Sequence, residues 1–176
     1  SHEIRTPLNA IVGFSNLILQ PDADFSAEEK KMFADTINTN NDLLLKLIND
    51  ILDLSRVESG EMQFVVKEYS VRELMEKEYN SFAVQMPSHL DFRLVQPADD
   101  IMIKIDDSRV QQVLSNFLTN AAKFTQKGSV TLGWNLDTET NKVELFVEDT
   151  GIGLSEEDRK MVFSRFYKKD EFKQGT

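Results

Sequence analysis

The chain opens Ser1-His2-Glu3-Ile4-Arg5-Thr6-Pro7-Leu8-Asn9, and apolar residues continue from there at helical spacing. Ile4, Leu8, Ile11 and Ile18, with Ser15 in the gap, step by four, three, four and three, which predicts one buried seam of an amphipathic helix from Ser1 to about Leu19. His2 and Thr6 are one turn apart and off that seam, so the imidazole is expected to face solvent or a partner. Pro7 lacks a backbone donor and its ring crowds the carbonyl of Glu3, so a local kink is expected just after the histidine. A lone exposed histidine is, by itself, more often a solvated surface residue.

Pro21 closes that helix, and Ser26 with Glu29 three residues on forms a capping box that opens a second one. The second helix carries Phe33, Ile37, Asn40, Leu44, Leu47, Ile51 and Leu54 at alternating steps of four and three, a sustained heptad seam. Leu43, Ile48 and Leu52 widen it beyond what one partner helix covers. The expectation is an antiparallel helical hairpin that pairs with a second copy as a dimeric four-helix bundle, ended by Gly60. Packing of the hairpin on its own globular domain is the alternative.

From Met62 the pattern becomes mixed. Phe64–Tyr69, Leu90–Val95, Ile101–Ile105, Val130–Leu136 and Val143–Val147 read as strands. Helices are expected from Ser70, with Leu74, Met75, Phe82 and Ala83 inward. Another starts at Asp107 or Ser108, with Val110, Val113, Leu114, Phe117, Leu118 and Ala121 inward, and a short one spans Glu156–Phe163. Strands backed by helices make a two-layer α/β sandwich, so the fold class is α+β, with domains at residues 1–60 and 61–176.

Composition narrows the chemistry. A formal net charge of −10 over 176 residues, with a pI near 4.7, offers no field for a phosphate backbone, so no nucleic acid is expected as a direct partner. The absence of cysteine excludes disulfides and zinc–thiolate sites. No apolar run reaches membrane-spanning length. The chain starts without methionine and stops at Gly175-Thr176, so both ends read as cuts in something longer.

Two constellations carry chemistry. Asp149-Thr150-Gly151-Ile152-Gly153 follows a strand directly; two glycines one residue apart let the backbone approach a flat ligand, and the acceptor-only carboxylate suits an adenine amine. Alone, this pattern is equally a strand-to-helix turn. Asn116, Asn120 and Lys123 fall four and three apart on one helix face, followed by Phe124-Thr125. Amide oxygens suit Mg²⁺ and the lysine suits phosphate oxygens, although a solvated polar face has the same pattern.

Taken together, the stretches resemble the sensor histidine kinases. Ser1–Phe14, with its H-E-I-R-T-P-L core, is similar to their phosphoacceptor box, and Asn116–Thr125 to their asparagine box. Val147–Leu154 is similar to their first glycine box, and Val162-Phe163-Ser164-Arg165-Phe166-Tyr167 to their phenylalanine box. The resemblance implies a dimerisation and phosphotransfer hairpin followed by a Bergerat-type ATP-binding domain, with ATP and Mg²⁺ as cofactors. It implies that His2 is phosphorylated with Glu3 as its adjacent base, and that Asn120 is the main Mg²⁺ ligand, supported by Asn116. Lys123 would lie near the phosphates, Phe124 would belong to the nucleotide site, Asp149 would read adenine, and Gly151 and Gly153 would shape the pocket. Phe163 and Phe166 would anchor a lid, with Arg165 or Lys168-Lys169 reaching phosphate.

The implied partners are a second copy and the receiver domain of a response regulator, to which the phosphoryl group passes. Thr6, three residues after Glu3, would position water in a phospho-aspartate phosphatase reaction; a surface threonine before a proline is the equal alternative. The resemblance implies a cytoplasmic location, with any membrane anchor outside these residues. A second glycine box would begin at Gly175-Thr176, so weak nucleotide binding and weak autophosphorylation are expected of the chain as it stands. The rival from another class is a non-catalytic dimerisation and docking module with a vestigial nucleotide fold. An ATPase of the wider gyrase and chaperone superfamily would leave the histidine helix unexplained.

Overall fold

The computed structural model describes residues 2–20 and 24–163, and the chain divides into two compact units, Ser1–Gln63 and Phe64–Thr176. The first unit consists of α1 (His2–Ile18) and α2 (Ala27–Ser59). Phe14, near the end of α1, meets Phe33, near the start of α2, at 5.5 Å between ring centroids, so the helices run antiparallel. Phe25, from the connection, packs edge-on against the same Phe33 ring at 5.1 Å.

The capping box forms as the sequence predicts. Glu29 N–H donates to Ser26 Oγ (3.1 Å) and Ser26 N–H donates to Glu29 Oε2 (2.8 Å). Those two bonds, the backbone one first, hold the Glu29 carboxyl below its usual range. Gly60, at φ 71°, ends α2 in the left-handed conformation, where a side chain would be strained.

The α1 seam differs from the expected one. Pro7 is fully buried, whereas Leu8 and Val12 stand exposed, so the face against α2 passes through Pro7, Ile11, Phe14 and Ile18. The helix continues from His2 to Ile18 with Pro7 inside it. On α2, Phe33 is buried and Ile37, Asn40, Leu44, Leu47 and Leu54 are half-buried, while Ile48, Ile51 and Leu52 remain exposed.

The second unit runs β1 (Lys67–Ser70), α3 (Val71–Ala83), β2 (Leu90–Val95), β3 (Met102–Ile105), α4 (Asp107–Phe124), β4 (Gly128–Asp137), β5 (Lys142–Asp149) and α5 (Glu156–Met161). β1 pairs with β3 antiparallel, Tyr69 opposite Ile103. The larger sheet has the order β2-β4-β5, with β2 parallel to β4 and β4 antiparallel to β5. The residues of β4 and β5 that face the helices are apolar: Leu132 opposes Val147 and Trp134 opposes Leu145. Met75 of α3 and Leu114 and Leu118 of α4 complete this core, giving the expected two-layer sandwich.

Three expectations need correcting. Phe64–Val66 are exposed and precede the first strand, which begins at Lys67. Ala83 is exposed at the end of α3. Val113 and Phe117 are also exposed, because only Leu114, Leu118 and Ala121 of α4 reach the sheet fully. The helical period marks a stripe without marking where the sheet ends.

Candidate functional site

The site lies where the C-terminal end of α4 meets the loop after β5. Asp106 caps α4 by accepting from Arg109 N–H, and Thr125 closes it, its own N–H donating to Ala121 O (3.0 Å). The loop Asp149–Gly153 packs against that closure: Ile152 N–H donates to Phe124 O (3.2 Å). A Cβ on Gly151 would stand 2.4 Å from the same carbonyl oxygen and 2.7 Å from Asp149 Oδ1, so only glycine allows the approach. Gly151 N–H donates to Asp149 Oδ1 (2.8 Å), and Thr125 Oγ1 donates to the same oxygen (3.4 Å).

Between these elements is a cleft of about 480 Å³. Of the residues the sequence nominated, Asn120, Phe124, Asp149, Gly153 and Phe163 line it. Gly151 lies behind the wall, under Phe124. Asn116 and Lys123 are exposed on α4 but do not line the cleft; Lys123 Nζ sits 5.0 Å from the Phe124 ring centroid instead. Phe163 borders the cleft at 88% exposure. Arg165, Phe166 and Lys168-Lys169 lie outside the described residues. His2 and Thr6 are exposed and Glu3 half-buried on α1 in the other unit, and Thr6 Oγ1 donates to His2 O (3.2 Å).

Sequence reasoning missed much of the cleft wall. Phe117, assigned to the core, contributes a half-open ring, and Phe146, Ile152, Leu154 and Val162 add apolar surface. The available signal was the pair Ile152 and Leu154, apolar side chains in a loop too glycine-rich to bury them.

The chemistry of the wall is that of a slot for a flat apolar ring. Among its described lining residues Asp149 is the one carboxylate and Asn120 the one amide, and no lysine or arginine is present. One acceptor-only carboxylate and one amide among apolar side chains fit a purine bearing an amine at its edge. No cluster of three or more His, Cys, Asp or Glu among the described residues could hold a metal. A divalent cation carried by ligand phosphates would meet Asn120 as the one amide oxygen among the described lining residues. Among the described residues, no helix is long and apolar enough to cross a membrane.

Comparison with known proteins agrees with this layout. Residues 1–60 match the His Kinase A (phospho-acceptor) domain, and residues 105–176 match the histidine kinase-, DNA gyrase B-, and HSP90-like ATPase family. The chain is 33% identical to the sensor protein GacS of Pseudomonas syringae pv. syringae, over 97% of this chain and 19% of that protein. It is also 33% identical to the circadian input-output histidine kinase CikA of Synechococcus elongatus, over 97% of this chain and 23% of that one. The chain thus spans less than a quarter of the length of either relative.

Two solved structures share the fold. Histidine kinase ThkA, in complex with response regulator protein TrrA, matches at 25% identity and TM-score 0.67, over 95% of this chain and 48% of that one. Full-length ShkA, in complex with AMPPNP, matches at 26% identity and TM-score 0.66, over 89% and 33% respectively.

Proposed function

The chain belongs to the sensor histidine kinases, and from that premise we propose that it phosphorylates its own His2 with ATP and passes the phosphoryl group to an aspartate of a response-regulator receiver domain. The observation that carries the proposal is the meeting of the asparagine-bearing end of α4 with the Asp149 loop across one apolar cleft.

In this reading residues 1–60 form the dimerisation and phosphotransfer hairpin and residues 61–176 the ATP-binding domain. Asp149 accepts from the adenine amine, and Phe117, Ile152 and Leu154 sandwich the ring. Mg²⁺, held by the phosphates with Asn120 as a ligand, would supply charge neutralisation at the transferred group. Asn116 and Lys123 are outer supports, since they stand away from the cleft wall. His2 is the nucleophile: an imidazole nitrogen attacks the γ-phosphorus, the bond to the β,γ-bridging oxygen breaks, and ADP leaves. Glu3 accepts the other ring proton and so raises the nucleophilicity of the attacking nitrogen.

The exposed apolar residues of the hairpin support a homodimer. Leu8 follows the seam residue Pro7, and Ile48 follows the seam residue Leu47. In an antiparallel pair, the position just after each seam residue lies on the same side, so these two share one exposed face. The ThkA–TrrA complex supports a receiver domain as the phosphoryl acceptor, and the ShkA complex with AMPPNP supports ATP as the donor. Thr6 positions water for the reverse, phosphatase reaction; its proton is committed to His2 O, and its exposed hydroxyl oxygen remains an acceptor.

The test is labelling with ATP carrying a γ-phosphate label and Mg²⁺ in the longest chain that contains these residues. An acid-labile, alkali-stable label lost in His2→Ala but not in Thr6→Ala is the expected result. Label on a serine or threonine, or none with nucleotide still bound, would favour the docking-module alternative.

A further inference from the structure

We propose that Thr125 is the positioning residue for the base-reading carboxylate. Its hydroxyl aims Asp149 into the cleft and sets the preference for a purine with an edge amine. The inference rests on the nucleotide reading above and adds a specificity determinant to it.

Threonines in the helices of this chain follow one habit. Thr6, Thr36, Thr39 and Thr119 each donate the hydroxyl to the carbonyl four residues earlier, at 2.7–3.2 Å. That bond is local and says nothing about a site. Thr125 closes α4, and the carbonyl four residues earlier, Ala121 O, accepts its backbone N–H. Its hydroxyl donates instead across 24 residues of sequence, to Asp149 Oδ1. At 2% exposure it has no access to water as an alternative acceptor.

This bond acts on a loop that is otherwise held only by its backbone and by its neighbour. Ile152 N–H is on Phe124 O, Thr150 N–H is on Ser129 O (3.1 Å), and Thr150 Oγ1 accepts from Ser129 N–H (3.0 Å). These contacts place the Asp149 main chain but leave its carboxylate free to rotate. Gly151 N–H and Thr125 Oγ1 both end on Oδ1, from the loop and from the helix. Two donors on one oxygen fix the plane of the carboxylate, and neither occupies Oδ2. That oxygen is the one left to accept from a ligand lining the same cleft as Asp149 and Asn120. A carboxylate held in this plane rewards an amine and meets a carbonyl edge with repulsion, so its orientation converts directly into base preference.

The experiment measures binding of ADP and GDP, each with Mg²⁺, by calorimetry to the longest chain that contains these residues and to its Thr125→Val, Thr125→Ser and Asp149→Asn variants. Valine keeps the shape and removes the hydroxyl; serine keeps the hydroxyl. Removing a hydrogen bond to a charged group is expected to weaken ADP binding about tenfold in Thr125→Val. GDP binding should change much less, so the ADP-to-GDP ratio falls, and Thr125→Ser should restore the ratio to within about twofold of the parent. Should valine unfold the second unit, as read by Trp134 fluorescence, Thr125→Ala takes its place against serine. A parent ratio retained without the hydroxyl, or lost equally in Thr125→Ser, overturns the positioning role while Asp149→Asn still abolishes the preference. If the parent binds neither nucleotide, or Asp149→Asn changes nothing, the nucleotide reading itself falls and takes this inference with it.

Discussion

Gly151→Ala is the substitution whose cost can be worked most directly from the geometry. The new Cβ would stand 2.4 Å from Phe124 O, 2.9 Å from Phe124 C and 2.7 Å from Asp149 Oδ1. Two of these are backbone atoms at the closure of α4, so no rotamer change relieves them, and the loop must withdraw by about 1 Å to reach ordinary contact. That withdrawal stretches the 3.2 Å bond from Ile152 N–H to Phe124 O beyond use and swings the 2.8 Å bond that orients Asp149. One neutral bond and one bond to a charge are together worth about 2–4 kcal/mol, which predicts a melting temperature lower by about 10–20 °C for a unit of this size. The displaced carboxylate should also cost about 10- to 100-fold in nucleotide affinity. Gly153→Ala is the comparison, because Gly153 has φ 65° but nothing within 4 Å of an added Cβ. It carries only the left-handed penalty, about 1–2 kcal/mol. Thermal unfolding followed by Trp134, the single tryptophan and 1% exposed, reads the second unit alone. Equal melting temperatures and equal affinities for the two variants would refute the close-approach argument.

Other outcomes follow from separate features. Leu8→Asp or Ile48→Asp should yield monomers by light scattering with helicity by circular dichroism retained, since both side chains are exposed in one hairpin; a monomeric parent at tens of micromolar would count against the shared face. Gly13→Ala, mid-helix with open space around it, should stabilise the first unit by about 0.5–1 kcal/mol, and a lower melting temperature would contradict the open geometry. Asp100 accepts from Ser70 Oγ first, then from Arg72 and Ile101 N–H, and these bonds hold its carboxyl below the usual range. A depressed folded pKa contributes stability that is present above the unfolded value of about 3.9 and is lost as pH falls through the folded one. Asp100→Asn should therefore melt lower than the parent at pH 7 and converge with it in acid, and a gap independent of pH would exclude this linkage.

Much of the fold was legible because local chemistry and tertiary packing agree. Ser26 with Glu29, the break at Pro21 and the glycine at residue 60 mark helix ends whatever surrounds them, and the hairpin strands around Asp137–Asn141 alternate cleanly. What sequence could not supply was which side of a stripe meets which surface. Pro7 reads as a kink and is a fully buried contact; Leu8 reads as a contact and is exposed. Phe117 reads as core and lines the cleft, because apolarity alone does not distinguish a wall that packs on a sheet from one that packs on a ligand. Phe64–Val66 have strand composition but no partner strand opposite them, and pairing is not encoded in composition. At the site, Asn120 and Asp149 line one cleft, a juxtaposition that the resemblance implied and that spacing along the chain does not contain. Thr125 was visible only as the end of a motif, since its partner lies 24 residues away.

The parallel pairing of β2 with β4 has a consequence for how the chain acquires its shape. Val95 and Gly128 are joined by a segment holding β3 and all of α4, so this pairing must close a long loop. Loop-closure entropy must be met before the pairing returns anything, which makes the step slow, whereas the α1–α2 contacts are short-range and quick to form. Refolding should thus be biphasic: circular dichroism gains helix first, and Trp134, whose strand pairs on both sides, reports later. Because α4 carries Asn120 and ends at Thr125, the late phase is also the birth of the cleft. Coincident kinetics for the two signals would show instead that the sheet assembles as fast as the hairpin.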